Sequence, residues 1–161
     1  MIQNSIAIKK KHKDFIEEVT KNEIVWVLKS DKGLATSSSV KYEDENGEPI
    51  EIVCFWSNRK LASVCGKKYW KEYILTEMEL SIFLENWCIG LYTDDWLVGT
   101  NFDWNLFGQE NEPIELILEI TEELQKKNKD LEFKKFKNIK DLKSQAKKIY
   151  EELYENEDDN E

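Results

Sequence analysis

Apolar residues recur with two periods along this chain, and each change of period marks an element. Phe15, Ile16 and Val19 share one face at the period of a helix over about residues 10–21. Glu23–Leu28 and Leu34–Val40 are β-rich runs on either side of Ser30-Asp31-Lys32-Gly33, the pattern of a hairpin. After the turn Glu45-Asn46-Gly47-Glu48-Pro49, the run Ile50–Trp56, apolar but for Glu51, predicts a strand buried on both faces or nearly so. Ser57 then suits a helix cap, Leu61, Ala62 and Cys65 the stripe of a helix over about 58–66, and Gly66 its left-handed end. Thr76 and Glu79 have the spacing of a capping box at the head of a helical stripe formed by Met78, Ile82, Phe83, Trp87 and Leu91. Trp96–Phe102 reads as a fourth strand behind Thr93-Asp94-Asp95, and Asn101–Gly108 as a turn or loop. Pro113 opens a helix lined by Ile114, Ile117, Leu118 and Leu124, and from Ile139 to Tyr154 a spacing of three or four describes another. The expected fold class is α+β: an antiparallel sheet of about four strands packed against helices, with a C-terminal helical extension.

Charge divides the same chain into blocks. Residues 9–13 carry four lysines, 14–123 a net −14, 126–148 a net +7 and 149–161 a net −7, within an overall −10. Tryptophan and glycine are confined to the acidic block, since residues 126–161 hold no Gly, Pro, Trp or Cys. This predicts an α+β domain over 1–124, a lysine-rich helical extension over 125–154 and an acidic disordered tail over 155–161. An acidic protein repels polyphosphates and anionic lipid surfaces, so neither nucleic acid nor membrane is an expected partner. The lysine segment does not reverse this, because Arg59 is the only arginine and the bidentate phosphate grip of that side chain is missing. No apolar stretch follows the basic opening residues, and none reaches the roughly 18 residues of a membrane span. Cys54, Cys65 and Cys88 lack CxxC spacing, so no zinc knuckle or disulfide framework is indicated and a cytoplasmic location is expected.

The ordered string Trp26, Gly33, Phe55-Trp56, Ala62, Cys65, Trp70, Tyr73, Leu80, Phe83-Leu84, Trp87 and Leu91 resembles the bacterial domain-of-unknown-function family 2750. The matching segments are Val25–Leu28, Cys54–Trp56, Ala62–Cys65 through Trp70, Leu80–Leu91, Leu97–Gly99 and Pro113–Leu116, over about residues 12–124. The chain departs from the family pattern at Cys54, where a proline often sits, in the insertion Glu43–Glu48 and in the C-terminal helix. The resemblance supports the fold and implies no activity, because the family is itself uncharacterised.

His12, the only histidine, lies in a lysine run ahead of the domain, which leaves the fold without a histidine base or ligand. The three cysteines sit on apolar stretches and read as buried small hydrophobes. Asp94, Asp95 and Asp103 lack the order of a calcium loop and read as turn residues. The six glycines are isolated, so no phosphate-cradling loop exists. No catalytic residue, cofactor or metal is expected.

Six tryptophans on an acidic chain are the unusual feature that remains. They point to a non-enzymatic protein-binding module, of an immunity or antitoxin kind, whose acidic surface takes a partner with a basic surface. Trp96 and Trp104 are the expected anchors, with Asp94, Asp95 and Asp103 as the charged rim. The alternative is a small-molecule sensor or carrier with a tryptophan-lined groove, and a third reading is an enzyme using carboxylates or a partner chain's residues. Docking of the C-terminal helix onto a second copy would make a dimer.

Overall fold

A computed structural model describes residues 2–158. The order is α1 (Ile2–Asn22), β1 (Ile24–Ser30), β2 (Gly33–Leu34), β3 (Thr36–Glu43), β4 (Pro49–Phe55), α2 (Arg59–Tyr69) and β5 (Ile74–Glu79). A continuous helix follows, made of α3 (Leu80–Ile82), a π-helical stretch (Phe83–Cys88) and α4 (Ile89–Thr93). Then come β6 (Leu97–Thr100), β7 (Gln109–Asn111), α5 (Pro113–Lys126) and α6 (Ile139–Asp158). The fold is α+β.

The strands form two sheets, ordered β2-β1-β5 and β3-β4-β6-β7. Trp26 and Trp56 join them, the Trp26 N–H donating to the Trp56 carbonyl at 2.7 Å and the Trp56 N–H to the Trp26 carbonyl at 2.9 Å. All pairs are antiparallel except β4 with β6, which run parallel across the Phe55–Thr100 register. The parallel pair departs from the antiparallel expectation, and its cause is connectivity. The chain leaves β4 through α2, β5 and the 80–93 helix before it returns as β6, a helical crossover of the kind parallel strands require.

Strand β4 alternates between two cores, as its apolar run predicts. Val53 and Phe55 face a large core with Phe15, Val19, Phe83, Leu84, Val98, Ile117 and Ile120. Ile52, Cys54 and Trp56 face a smaller one with Leu28, Ala62, Cys65 and Phe102 under α2. Phe55 and Phe83 meet edge-on with ring centroids 4.6 Å apart. Leu61, expected in the core, lies at the rim of its helix at 36% exposure, and Trp87 is half-buried.

Several local expectations are corrected. The hairpin after β1 lasts only through Lys29↔Leu34 and Ser30↔Gly33; β3 then crosses to pair with β4. Gly33 takes φ 115°, a turn conformation open to glycine and costly to other residues. Thr76 and Glu79 form no capping box: Glu79 stands at the N-cap position before Leu80, but its side chain makes no cap hydrogen bond. They lie in β5, where they pair with Val27 and Ile24, because β1 offers its second edge to this segment. Asn58, not Ser57, caps α2, accepting from the Lys60 and Leu61 N–H groups. Gly66 does not end α2 but lies inside it, where a Cβ would stand 3.1 Å from Leu28.

The C-terminal segment packs on the main core. Ile139, Leu142 and Ala146 of α6 are buried with the residues of α1 and α5. The loop before α6 is held by Glu85, 2% exposed, whose carboxylate accepts the Lys134 N–H at 2.9 Å and the Lys135 N–H at 2.6 Å. Helix α6 continues through Asp158, past the Glu155 at which a disordered tail was expected, and residues 159–161 lie outside the described ones. Tyr154 holds its last turns down by donating to Glu115 Oε1 at 2.9 Å.

Candidate binding groove

The residues singled out from sequence separate into two places. Asp103 and Trp104 belong to the Asn101–Gly108 loop, which is tied to α1 and α2. Lys11 Nζ donates to Asp103 Oδ2 and to the Phe107 carbonyl, each at 2.8 Å, and Tyr69 Oη donates to the Trp104 carbonyl at 2.7 Å. Burial works against the Asp103 charge, but Lys11 and the Phe107 and Asn105 N–H groups outweigh it and hold the carboxyl below its usual range. Trp104 is exposed, yet Lys68 Nζ already stands 4.4 Å from its ring centroid. One face of that ring is therefore taken by the protein's own cation. Gly108 closes the loop, and a Cβ there would come within 2.2 Å of Phe102.

Trp96 and Asp95 lie elsewhere, on a groove of about 660 Å³ between the β3–β4 turn, the end of α4, the start of α5 and the last turns of α6. Asp95, in the left-handed region at φ 59°, turns the chain from α4 into β6. The groove is lined by Tyr92, Trp96, Tyr150 and Tyr154 and by six carboxylates: Glu43, Asp44, Glu45, Asp95, Glu112 and Glu115. Among the described residues none of the six is ion-paired with a lysine, arginine or histidine. Glu112 feels the crowding. Loss of hydration and then the neighbouring Glu115 and Asp95 charges raise its carboxyl above the ordinary value. Asp94 does not line the groove; it ends α4, its N–H donating to the Gly90 carbonyl.

Sequence reasoning missed Tyr92, Glu112, Glu115, Tyr150 and Tyr154 as groove residues. A partial signal was present, because Glu112 and Glu115 bracket Pro113 at a helix start and Tyr150 and Tyr154 are one turn apart. Their convergence with Trp96 depends on the return of α6 along α5, which pattern alone does not give.

His12 requires a second correction. It is 6% exposed and inside the fold, on the α1 face that carries Phe15 and Val19 toward the core. Its Nδ1 lies 2.9 Å from Thr100 Oγ1 and its Nε2 2.5 Å from Glu119 Oε1, while Asn111 Nδ2 donates to Thr100 Oγ1 at 3.1 Å. One assignment satisfies every atom: the Thr100 hydroxyl donates to Nδ1, and Nε2–H donates to Glu119. The threonine, histidine and carboxylate resemble a triad in order only. Thr100 has no exposed surface, so its hydroxyl cannot meet a substrate, and the chain fastens α1 to β6 and α5.

The thiols are equally enclosed. Cys54, Cys65 and Cys88 are free and buried. Burial raises all three, Cys65 to about 11, which keeps them protonated and poorly nucleophilic at neutral pH. Among the described residues no three His, Cys, Asp or Glu side chains are placed to hold a metal ion together, the groove carboxylates included, and no helix is long and apolar enough to cross a membrane.

Fold and groove thus define an α+β domain with an acidic, aromatic-walled groove on its surface. The family of proteins of unknown function designated DUF2750 matches residues 12–120, more than half of the chain, and the chain belongs to that family. Neither a curated protein nor a solved structure matches it.

Proposed function

We propose that this protein is a non-enzymatic protein-binding module, of an immunity or antitoxin kind, whose acidic groove takes a partner with a basic surface. The observation that carries the reading is the gathering of six carboxylates without cationic partners around Tyr92, Trp96, Tyr150 and Tyr154. Unpaired like charges around a half-buried tryptophan are unfavourable in the free protein, and a cationic surface relieves them on binding. The aromatic side chains supply the contact area that fixes such a complex. Of the two tryptophans expected as anchors, Trp96 lines this groove, whereas Trp104 lies outside it with Lys68 Nζ over one face of its ring, which favours Trp96 as the anchor.

Affinity capture from the native cell followed by mass spectrometry tests the proposal. The expected partner is basic, and Trp96→Ala abolishes its recovery while Trp104→Ala does not. An acidic partner would refute the reading. Recovery of a small molecule in the groove would favour a sensor or carrier, for which a volume of about 660 Å³ is also adequate.

A further inference from the structure

The groove beside Trp96 has one wall that lies beyond the family match, which ends at residue 120. That wall is α6. Tyr150 and Tyr154 stand with ring centroids 4.4 Å apart, and the Tyr154 hydroxyl is fixed on Glu115 Oε1 at 2.9 Å. Trp96, Asp95 and Glu112 line the same groove. Flat aromatic surfaces therefore stand beside carboxylates that, among the described residues, have no cationic partner. None of the lysines of this chain lines the groove, so the site is not answered from within.

Resting on the protein-binding reading above, we propose that the groove is an arginine-recognition site, in which α6 and Trp96 provide the stacking walls for one arginine side chain of the basic partner. The chemistry selects arginine over lysine. A guanidinium is planar and weakly hydrated, so it stacks on an indole or phenol face while its edge donates to carboxylates. An ammonium is a compact, strongly hydrated charge that satisfies the carboxylates but gains little from the flat walls. The groove is open to solvent, which lets a side chain enter while the main chain that bears it stays outside. Tyr150 and Tyr154 are then specificity-determining residues, and they come from the helix that lies outside the family match.

The test is calorimetric titration of the full-length protein with a short capped arginine peptide, its lysine counterpart and spermine, at about 0.15 M salt, where exposed charge attraction is screened. The arginine peptide is expected to bind at least about fivefold more tightly than the lysine peptide, and Glu112→Gln to weaken it about tenfold. Tyr154→Ala and Trp96→Ala should each remove most of the preference for arginine. Tyr154→Phe keeps the ring, which is 44% exposed, and gives up only the hydroxyl bond to Glu115; it should retain the preference, with circular dichroism checking that α6 stays folded. Trp104→Ala should change nothing. Equal binding of the two peptides, insensitivity to the groove variants, or tighter binding of spermine would overturn the proposal. If a captured basic partner still depends on Trp96 while the tyrosine variants have no effect, arginine recognition fails and the protein-binding reading stands. If the arginine peptide binds as expected and no basic protein is captured, the protein-binding reading fails instead.

Discussion

Replacement of Glu85 by Ala should loosen the C-terminal segment more than any other single change outside the core. Glu85 is in the π-helical stretch, 2% exposed, and its carboxylate accepts the Lys134 N–H at 2.9 Å and 3.2 Å through its two oxygens and the Lys135 N–H at 2.6 Å. Removing the side chain strands two part-buried N–H groups, each costing about 1–3 kcal/mol when unsatisfied, so a loss of about 2–6 kcal/mol is expected. Glu85→Gln preserves the volume but presents an amide NH₂ to one of the donors, and about half of that loss should follow. Urea unfolding gives the free energies, and amide hydrogen exchange locates the effect. Protection should fall at Lys134 and Lys135 and along α6 while β4 and β6 keep theirs. A loss below about 0.5 kcal/mol, or a uniform loss of protection, would show that the loop is held by its apolar contacts and not by this carboxylate.

Other outcomes follow from the same geometry. Phe83→Ala removes a fully buried ring that meets Phe55 and Phe15, and should cost about 3–5 kcal/mol in chemical denaturation. Truncation after Leu124 uncovers the sites now filled by Ile139, Leu142 and Ala146, so the product should lose its cooperative thermal transition. Glu112→Gln should raise the melting temperature at neutral pH: the folded carboxyl is raised, so its charged form weakens the fold above that value, and the benefit should vanish as pH falls below the unfolded carboxyl's range.

Where burial followed from a simple period, the fold was legible in the sequence. The two-sided run of β4, the α1 stripe Phe15, Ile16 and Val19, and the Pro113 helix all rest on that logic. Where an element depended on a distant edge, it was not. Ile74–Glu79 contains a good capping-box spacing and becomes a strand because β1 has a free edge, and no local signal carries that information. The β4–β6 pairing has the same character, since orientation is decided by the intervening crossover. His12 was misplaced because a lysine run reads as solvated surface, whereas Lys11 and His12 in fact reach the Asp103 loop and the Thr100 hydroxyl. The groove was half legible. Trp96 and Asp95 stand together in sequence, but the tyrosines and Glu112 reach them only through tertiary packing.

The central claim is that the acidic groove beside Trp96, and not the Trp104 loop, receives a basic partner. Stopped-flow association of the captured partner over a series of salt concentrations addresses it most directly, with wild type compared against Trp96→Ala, Trp104→Ala and the Glu112→Gln/Glu115→Gln pair. The association rate should fall steeply with salt, the charge pair should associate more slowly and with a shallower salt dependence, and Trp96→Ala should dissociate faster with association little changed. Trp104→Ala should match wild type. A salt-insensitive rate, or a dissociation rate raised by Trp104→Ala and not by Trp96→Ala, would contradict the central claim.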